Sequence, residues 1–402
     1  MGRTALLMVM GFSTAMLMMG LNLSRVSTRA YENYLGYYNR TAAHNIAISV
    51  ANMYCNDIYI NPNARPNVPS LSFAGGTASV ATDTLSGGRV RLRVSSLYNG
   101  VRDTIIIIWG QSKFSKFAYF SAIEGSIYWI TGDTVWGPFH TQQRVNVSGN
   151  PVFYGKVTSK NGLFKSPTSS QPKFYGGYQS PVSINLPADL NPLKVAAQTG
   201  GKYISGTDVE IIFNADSTIT VKEGSGSPQT YPIGSYAPNG TIFVENGNIR
   251  VKGTVAGKMT IGATGSSGLA KGNVYIDDDI VYKRNPQVGP SPDLLGICAQ
   301  NDVIITDNAA NNSSVRIEAA LFSLSGGLKA ENYNTRPVSG TIHLVGGITQ
   351  YQRGPVGTFS GSPPVINHGF QKNYRYDTRL MVESPPFFPT TGSYEILSWY
   401  ER

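Results

Sequence analysis

Thr4-Ala5-Leu6-Leu7-Met8-Val9-Met10-Gly11-Phe12-Ser13-Thr14-Ala15-Met16-Leu17-Met18-Met19-Gly20-Leu21-Asn22-Leu23-Ser24 contains no charged residue, and Arg3 and Arg25 bracket it. As a helix rising about 1.5 Å per residue it is about 30 Å long, the thickness of a bilayer's hydrocarbon layer. Helix is the conformation that lipid permits, because it offers backbone N–H and C=O groups no other partners. A cleaved signal peptide would have a shorter apolar core and a small-x-small site soon after it, and none follows promptly.

The chain does not break after Ser24. No proline precedes Pro62, and Ala43, Ile46, Ala47, Val50, Ala51 and Tyr54 recur at three- and four-residue spacing. Arg40, Asn45, Asn52 and Asn56 fall between them. One helix is therefore expected over 1–60, apolar all round at 4–24 and amphipathic at 25–58, ended by Asn61-Pro62-Asn63. The apolar half suits a surface that exchanges lipid for copies of itself. Leu6, Leu7, Val9, Gly11, Phe12, Ala15, Leu17, Gly20 and Leu21 are the candidate helix-packing residues of a filament core. Gly11, Ser13, Ala15 and Gly20 permit close helix approach, and five Met between Met8 and Met19 adapt to irregular neighbours. Ala43, Ile46, Ala47, Val50, Ala51 and Tyr54 are the candidate contacts between helix and body.

Gly2-Arg3-Thr4-Ala5-Leu6-Leu7 leading into the apolar run, followed by Tyr37-Tyr38 and Ala42-Ala43, Ala47 and Ala51, resembles the N-terminal helix of type IV pilin-like proteins, particularly the PilX-like minor pilins. The resemblance implies an inner-membrane-inserted precursor, type IV pilus-like or secretion assembly machinery as partner, and a final place in a cell-surface or extracellular filament. The chain departs from that pattern in two respects. Mature pilins usually carry an early Glu in the apolar helix, whereas the first acidic residue here is Glu32. The hydrophilic leader is reduced to Met-Gly or absent, so either the numbering starts near the mature end or the lineage is divergent.

Beyond residue 67 the period changes. Val90–Val94, Thr104–Trp109 and Ile127–Ile130 read as strands, and a Gly-led pattern recurs at Gly240-Thr241-Ile242-Phe243-Val244, Gly247-Asn248-Ile249-Arg250-Val251, Gly253-Thr254-Val255, Gly257–Ile261 and Gly272–Ile276. Asn301–Ile305 and Gly340–Leu344 continue it. Short β-branched strands between small corners suit coils that bury their inner side chains against the next coil. The expected fold is mainly β with one long N-terminal α-helix. Its body is expected to be a right-handed parallel β-helix with an insertion and a C-terminal cap, with a β-sandwich as the alternative. The expected segments are 61–124 (linker and first strands), 125–180 (first part of the β-helix), 181–235 (insertion), 236–360 (second part) and 361–402 (cap, with Pro363-Pro364 and Pro385-Pro386). Gly346-Gly347 reads as a corner.

A second resemblance rests on Thr131–Thr141, Gly149–Thr158, Tyr374–Asp377, Pro385–Pro389 and Ser398–Glu401. These match a bacterial envelope domain of uncharacterised function found behind PilX-like N-termini. It implies envelope or filament association and no particular chemistry.

Composition agrees with an extracytoplasmic, turn-rich protein: of 402 residues only 14% are charged, while Gly (44), Pro (23) and Tyr (23) abound. The formal charge of +9 is scattered singly, without the basic stripe that nucleic-acid binders concentrate, so no nucleic-acid partner is expected. Cys55 and Cys298 have no CxxC spacing, and a disulfide or buried free thiols fit equally. His140 near Asp133 invites a carboxylate-oriented base, but no Ser or Cys motif accompanies it, and a structural His bonding a turn is favoured. Asp277-Asp278-Asp279 alternates faces if in a strand, so a solvated turn is expected there rather than a metal or hydrolase site. The expectation is a non-enzymatic protein without cofactor or metal: a homopolymer subunit. The rival readings are a membrane-anchored β-helix binding or cleaving polysaccharide, and a minor pseudopilin of a secretion system.

Overall fold

The computed structural model describes residues 2–61, 63–85, 89–265, 270–360 and 365–401. Pro62, Gly361, Pro363 and Pro364 lie outside the described residues. The fold is mainly β with one long N-terminal helix, and its sheets are mixed. It divides into two compact units, Met1–Gln111 with Ser393–Arg402, and Ser112–Gly392. The segment boundaries expected at 124 and 361 thus fall elsewhere.

In the first unit the helix α1 runs unbroken over Gly2–Ile60. A sheet in the order β1 (Val68–Phe73), β2 (Gly76–Thr84), β3 (Val90–Tyr98), β4 (Val101–Lys113) and the closing strand Thr390–Glu401 packs against its second half. The β3–β4 hairpin turns on Asn99-Gly100, whose φ angles of 44° and 80° match the type I′ turn that fits the strand twist. Val90, Leu92 and Val94 alternate with Arg91 and Arg93, so one face of the sheet is apolar. That face meets Ile46, Ala47, Val50, Ala51, Cys55 and Ile58 of the helix in one core.

In the second unit a continuous ladder of parallel pairs links Lys202, Ile242, Ile261, Ile297, Leu321 and Ile348. It continues through Tyr119, Phe139, Val157 and Tyr178. A second ladder joins Val209, Ile249, Val274, Val303 and Leu328. A third joins Gly253, Ile280, Ile317, Leu344 and Tyr374. Side chains in the ladders from Ile242 to Leu344 form one buried core with Phe139, Phe153 and Trp129. Parallel pairing of this kind does not arise in an antiparallel sandwich.

Neighbours one position along point the other way. Phe243, Gly262, Cys298, Phe322, Thr349, Phe120 and His140 make this second file. Its apolar members are covered by Ile184, Leu186, Leu190, Leu193 and Ala197 from one side of the chain, and by Leu380 and Phe388 from the other. Both faces of this sheet are therefore dry, which explains why its strands read as continuous apolar runs.

Several expectations need correcting. The stack does not follow chain order: the 119–178 strands sit beyond the 348 strand, so the expected first and second parts meet at Tyr119 and Ile348. Residues 181–201 therefore run back from the Tyr178 end to the Lys202 end, and they do so as the covering strap with the helix Asn191–Gly200. The expected insertion shrinks accordingly. Lys202–Ser205 and Val209–Phe213 belong to the ladders, and only the antiparallel additions Thr218–Glu223 and Gln229–Pro232 with the turn Ile233–Tyr236 stand outside them. The expected cap, read as covering the stack or returning to the helix, divides: Leu380 and Phe388 cover the outward file, and Tyr394 joins the core of the helix. Val365–Tyr376 pairs in parallel with Val338–Gln352, while Thr390–Glu401 joins the antiparallel sheet.

Gly346 and Gly347 are no corner but lie inside the strand Val338–Gln352, where an added Cβ would strike the carbonyls of Ala319 and Phe117. Asp277–Asp279 form a bulge inside the strand Val274–Tyr282, not a turn: Ile276 pairs with Val251 and Ile280 with Gly253.

A file of glycines shows how tightly the strands stack. A Cβ on Gly155 would overlap the carbonyl of Gly137, and one on Gly176 would overlap that of Gly155. Gly155→Ala should therefore cost about 2 kcal/mol or more in a denaturant titration, because backbone rather than a side-chain tip must yield. Gly234→Ala, where a Cβ meets nothing within 4 Å, should stay within about 0.5 kcal/mol.

Candidate functional site

The most unusual surface of the protein is the first half of α1. Every described residue from Gly2 to Leu35 is exposed. Leu6, Leu7, Val9, Phe12, Leu17 and Leu21 are each more than half exposed, Phe12 at 74%. A Cβ added at Gly11 or Gly20 would meet nothing within 4 Å, and Ala15 is open too. The nine candidate packing residues thus lie on one uncovered apolar rod. Each large apolar side chain left in water forgoes roughly 1.5–3 kcal/mol, so the rod needs a partner or a lipid phase. The few polar groups on it are handled locally. Thr14 Oγ1 donates to the carbonyls of Met10 and Gly11 at 2.9 and 3.0 Å, which lets a hydroxyl sit in an apolar medium.

The second half of the helix is fixed to the sheet. Ala43, Ile46, Ala47, Val50 and Ala51 are buried and Tyr54 is half-buried; Cys55 and Ile58, not among the helix-to-body contacts expected from the sequence, are buried beside them. Ser96 Oγ donates to the Ala43 carbonyl at 2.7 Å, and Asn99 donates to Asn39 at 3.2 Å. His44 Nδ1 lies 2.6 Å from Asp103, with Glu401 3.7 Å from Nε2. Between rod and clamp, Tyr31, Tyr34, Tyr37 and Tyr38 project into solvent.

The candidates for chemistry do not converge. His140 is fully buried with Nδ1 2.8 Å from Thr158 Oγ1 of the adjacent strand, and its ring stacks on Phe120 at 5.1 Å. Asp133 instead accepts from the Ile130 backbone at 2.9 Å. The histidine thus bridges strands rather than a turn. Asp277 holds Arg250 through two bonds of 2.6 and 2.8 Å, Asp278 accepts from the Asp279 backbone at 2.8 Å, and Asp279 accepts from the Arg316 backbone, so the three carboxylates have separate partners. Cys55 and Cys298 are both free and buried, and burial pushes the Cys55 thiol up to about 11. No group of three His, Cys, Asp or Glu side chains that could hold a metal occurs among the described residues.

Comparison with known proteins adds little. No protein-family model matches the chain, and no curated protein matches it. The chain is similar to the crystal structure of the competence-associated pilin ComZ from Thermus thermophilus at 12% identity, over 90% of this chain and 97% of that one, with a TM-score of 0.38. At that distance, function has to be argued from the chain itself.

Sequence reasoning missed a second feature. Trp136-Gly137-Pro138-Phe139, Tyr154-Gly155-Lys156-Val157 and Tyr175-Gly176-Gly177-Tyr178 repeat an aromatic-Gly-x-apolar unit 18 and 21 residues apart. In the stack the glycines align, the last residues enter the ladder, and the first rings stack outside it: Trp136 on Tyr154 at 4.1 Å, Tyr154 on Tyr175 at 5.2 Å. Trp136 also lines a cavity of about 210 Å³ with Tyr119, Trp129, Asp133, Gln350, Arg353 and Lys372. Glu124 is buried nearby. It accepts from Tyr119 at 2.7 Å and pairs with Arg353 at 3.4 Å, while Arg353 lies 4.5 Å over Trp129.

Burial lowers the His140 pKa from 6.5 to about 4, since a charged ring in that packing loses its water. A group with a depressed folded value binds its proton more readily when unfolded. Its contribution is therefore complete above pH 6.5 and is lost as pH falls toward 4, by on the order of 3 kcal/mol. Urea midpoints at pH 7.5 and pH 4.5 should differ by less in His140→Phe than in the wild type; equal differences would remove His140 from the account.

Proposed function

We propose that the protein is a structural, non-enzymatic subunit of an extracellular pilus-like filament that polymerises through residues 4–24. The observation that carries this reading is the rod: an apolar helix surface with no cover, continuous with a segment clamped to a folded sheet. A plain membrane anchor needs about 20 residues and tolerates a loose linker. Here about 59 residues hold one helix of roughly 90 Å, so the direction of the rod is fixed relative to the β-sheet of its own unit. Fixed direction is of no use to a tether. It is what a repeating assembly requires, because each copy must present the same face to its neighbours.

In this reading the rod rests in the inner membrane before assembly and then moves among identical rods. Lipid and helix bundle are equally apolar, so close packing at Gly11, Ser13, Ala15 and Gly20 supplies the preference for the bundle. The exposed tyrosines 31–38 extend the contact beyond the bilayer, and pilus-like or secretion assembly machinery performs the extraction. The β-rich remainder forms the outer sheath. Its in-register parallel ladders support a right-handed parallel β-helix, with the strap over one face. A filament exposed to proteases benefits from strands paired on both sides.

Deleting residues 2–24 should leave a monomer in light scattering that needs no detergent, and cells carrying only that form should lack the filament. Gly11→Leu should lower filament yield while membrane insertion of the subunit persists. Polymerisation of the truncated protein would remove the helix from the centre of the account.

A further inference from the structure

We propose that the cavity beside Trp136 binds one neutral pyranose ring of a glycan. This does not depend on the filament reading, since an anchored monomer would carry the same site.

The first ground is the row of rings. Trp136, Tyr154 and Tyr175 are 55%, 44% and 65% exposed, so large aromatic area stays in water although the interior already holds Trp129, Phe139 and Phe153. Tyr154 covers one face of the Trp136 indole at 12° interplanar angle, and no second ring stacks on Trp136 among the described residues. A flat, rigidly backed indole at the mouth of a cavity fits a ligand that has an apolar face and a polar rim. The C–H face and equatorial hydroxyls of a pyranose have that form.

The second ground is the polar lining. Lys372, Asn373, Gln350 and Asp133 supply donors and acceptors around the same space. Both signs of charge are present. Arg353 is already neutralised by Glu124 behind the lining, which leaves Lys372 and Asp133, one charge of each sign. A cationic ligand would meet Lys372 and Arg353 and an anionic one Asp133, whereas hydroxyls, which donate and accept, can use every group. Trp129 also lines the cavity and is 6% exposed, with its indole N–H sealed from solvent.

The third ground is size. About 210 Å³ equals the liquid volume of roughly seven waters, room for one ring and its substituents rather than a chain. Recognition would be of a terminal or protruding sugar.

The test uses the full chain in lauryldimethylamine oxide, a detergent without sugar. Methyl glycosides of glucose, galactose and mannose, and N-acetylglucosamine, are titrated to about 50 mM with tryptophan fluorescence and saturation-transfer NMR, covering the millimolar Kd expected of one ring. At least one should bind. Trp136→Ala should weaken it by about tenfold or more, Trp136→Phe should retain part of it, and Lys372→Gln should weaken it severalfold. Tyr231→Ala, an exposed ring stacked on half-buried Tyr236 and outside the cavity lining, should leave it unchanged. Failure of all four sugars to bind the wild type would overturn the proposal. So would binding undiminished in Trp136→Ala, or glucuronate or glucosamine binding in preference to every neutral sugar.

Discussion

An apolar helix about 30 Å long cannot be left in water, and most of what distinguishes this chain follows from that constraint. Residues 4–24 carry no charge and find no cover in their own fold. Their neighbours on the same helix, from Ala43 to Ile58, are held by a sheet whose apolar face was built for them. One helix thus has two unlike surfaces, one satisfied within the subunit and one not. The Ser96 and Asn99 bonds to Ala43 and Asn39 fix where the satisfied part begins, and so how much of the rod remains for others.

The second unit solves a different problem, that of making a large body with few charges. In-register parallel pairing gives inner strands such as Val315–Ser323 and Val338–Gln352 partners on both sides, and alternation sends one file of side chains inward and the next outward. The outward file from Phe243 to His140 would be an apolar stripe if the chain did not return over it. Because the 119–178 strands join the stack at Ile348 instead of preceding Lys202, the chain returns over this file, and residues 184–197 cover it on the way. The long way back supplies the cover. His140 and Cys298, which look reactive in a sequence, are two of the groups lying under it or beside it.

Local order was readable from the residues. The helix was legible because its period is regular and no proline interrupts it, and the strands Thr241–Glu245, Lys258–Thr264 and Val274–Tyr282 were legible through their Gly-led pattern, whereas Gly253, read as opening a strand of its own, lies inside Ile249–Val255. The order of stacking was not, because a backbone pairing between Ile348 and Tyr119 leaves no trace in spacing. For the same reason Gly346-Gly347 looked like a corner, although what demands glycine there is a neighbouring strand distant in sequence. The cavity was hidden too, since Trp129 and Trp136 meet Arg353 and Lys372 only through that junction. The row of Trp136, Tyr154 and Tyr175 went unread although it left a signal: its 18- and 21-residue spacing beside aligned glycines marks three segments stacked in register.

Electron cryomicroscopy of the surface appendages, with the chain traced in the density, tests the central claim most directly. The account predicts that residues 4–24 of many copies pack side by side along the filament axis, with Gly11 and Gly20 at the closest approaches and the β-rich units outside. Filaments held together by those β-rich units, with the helices absent from the core or still embedded in lipid, would contradict it.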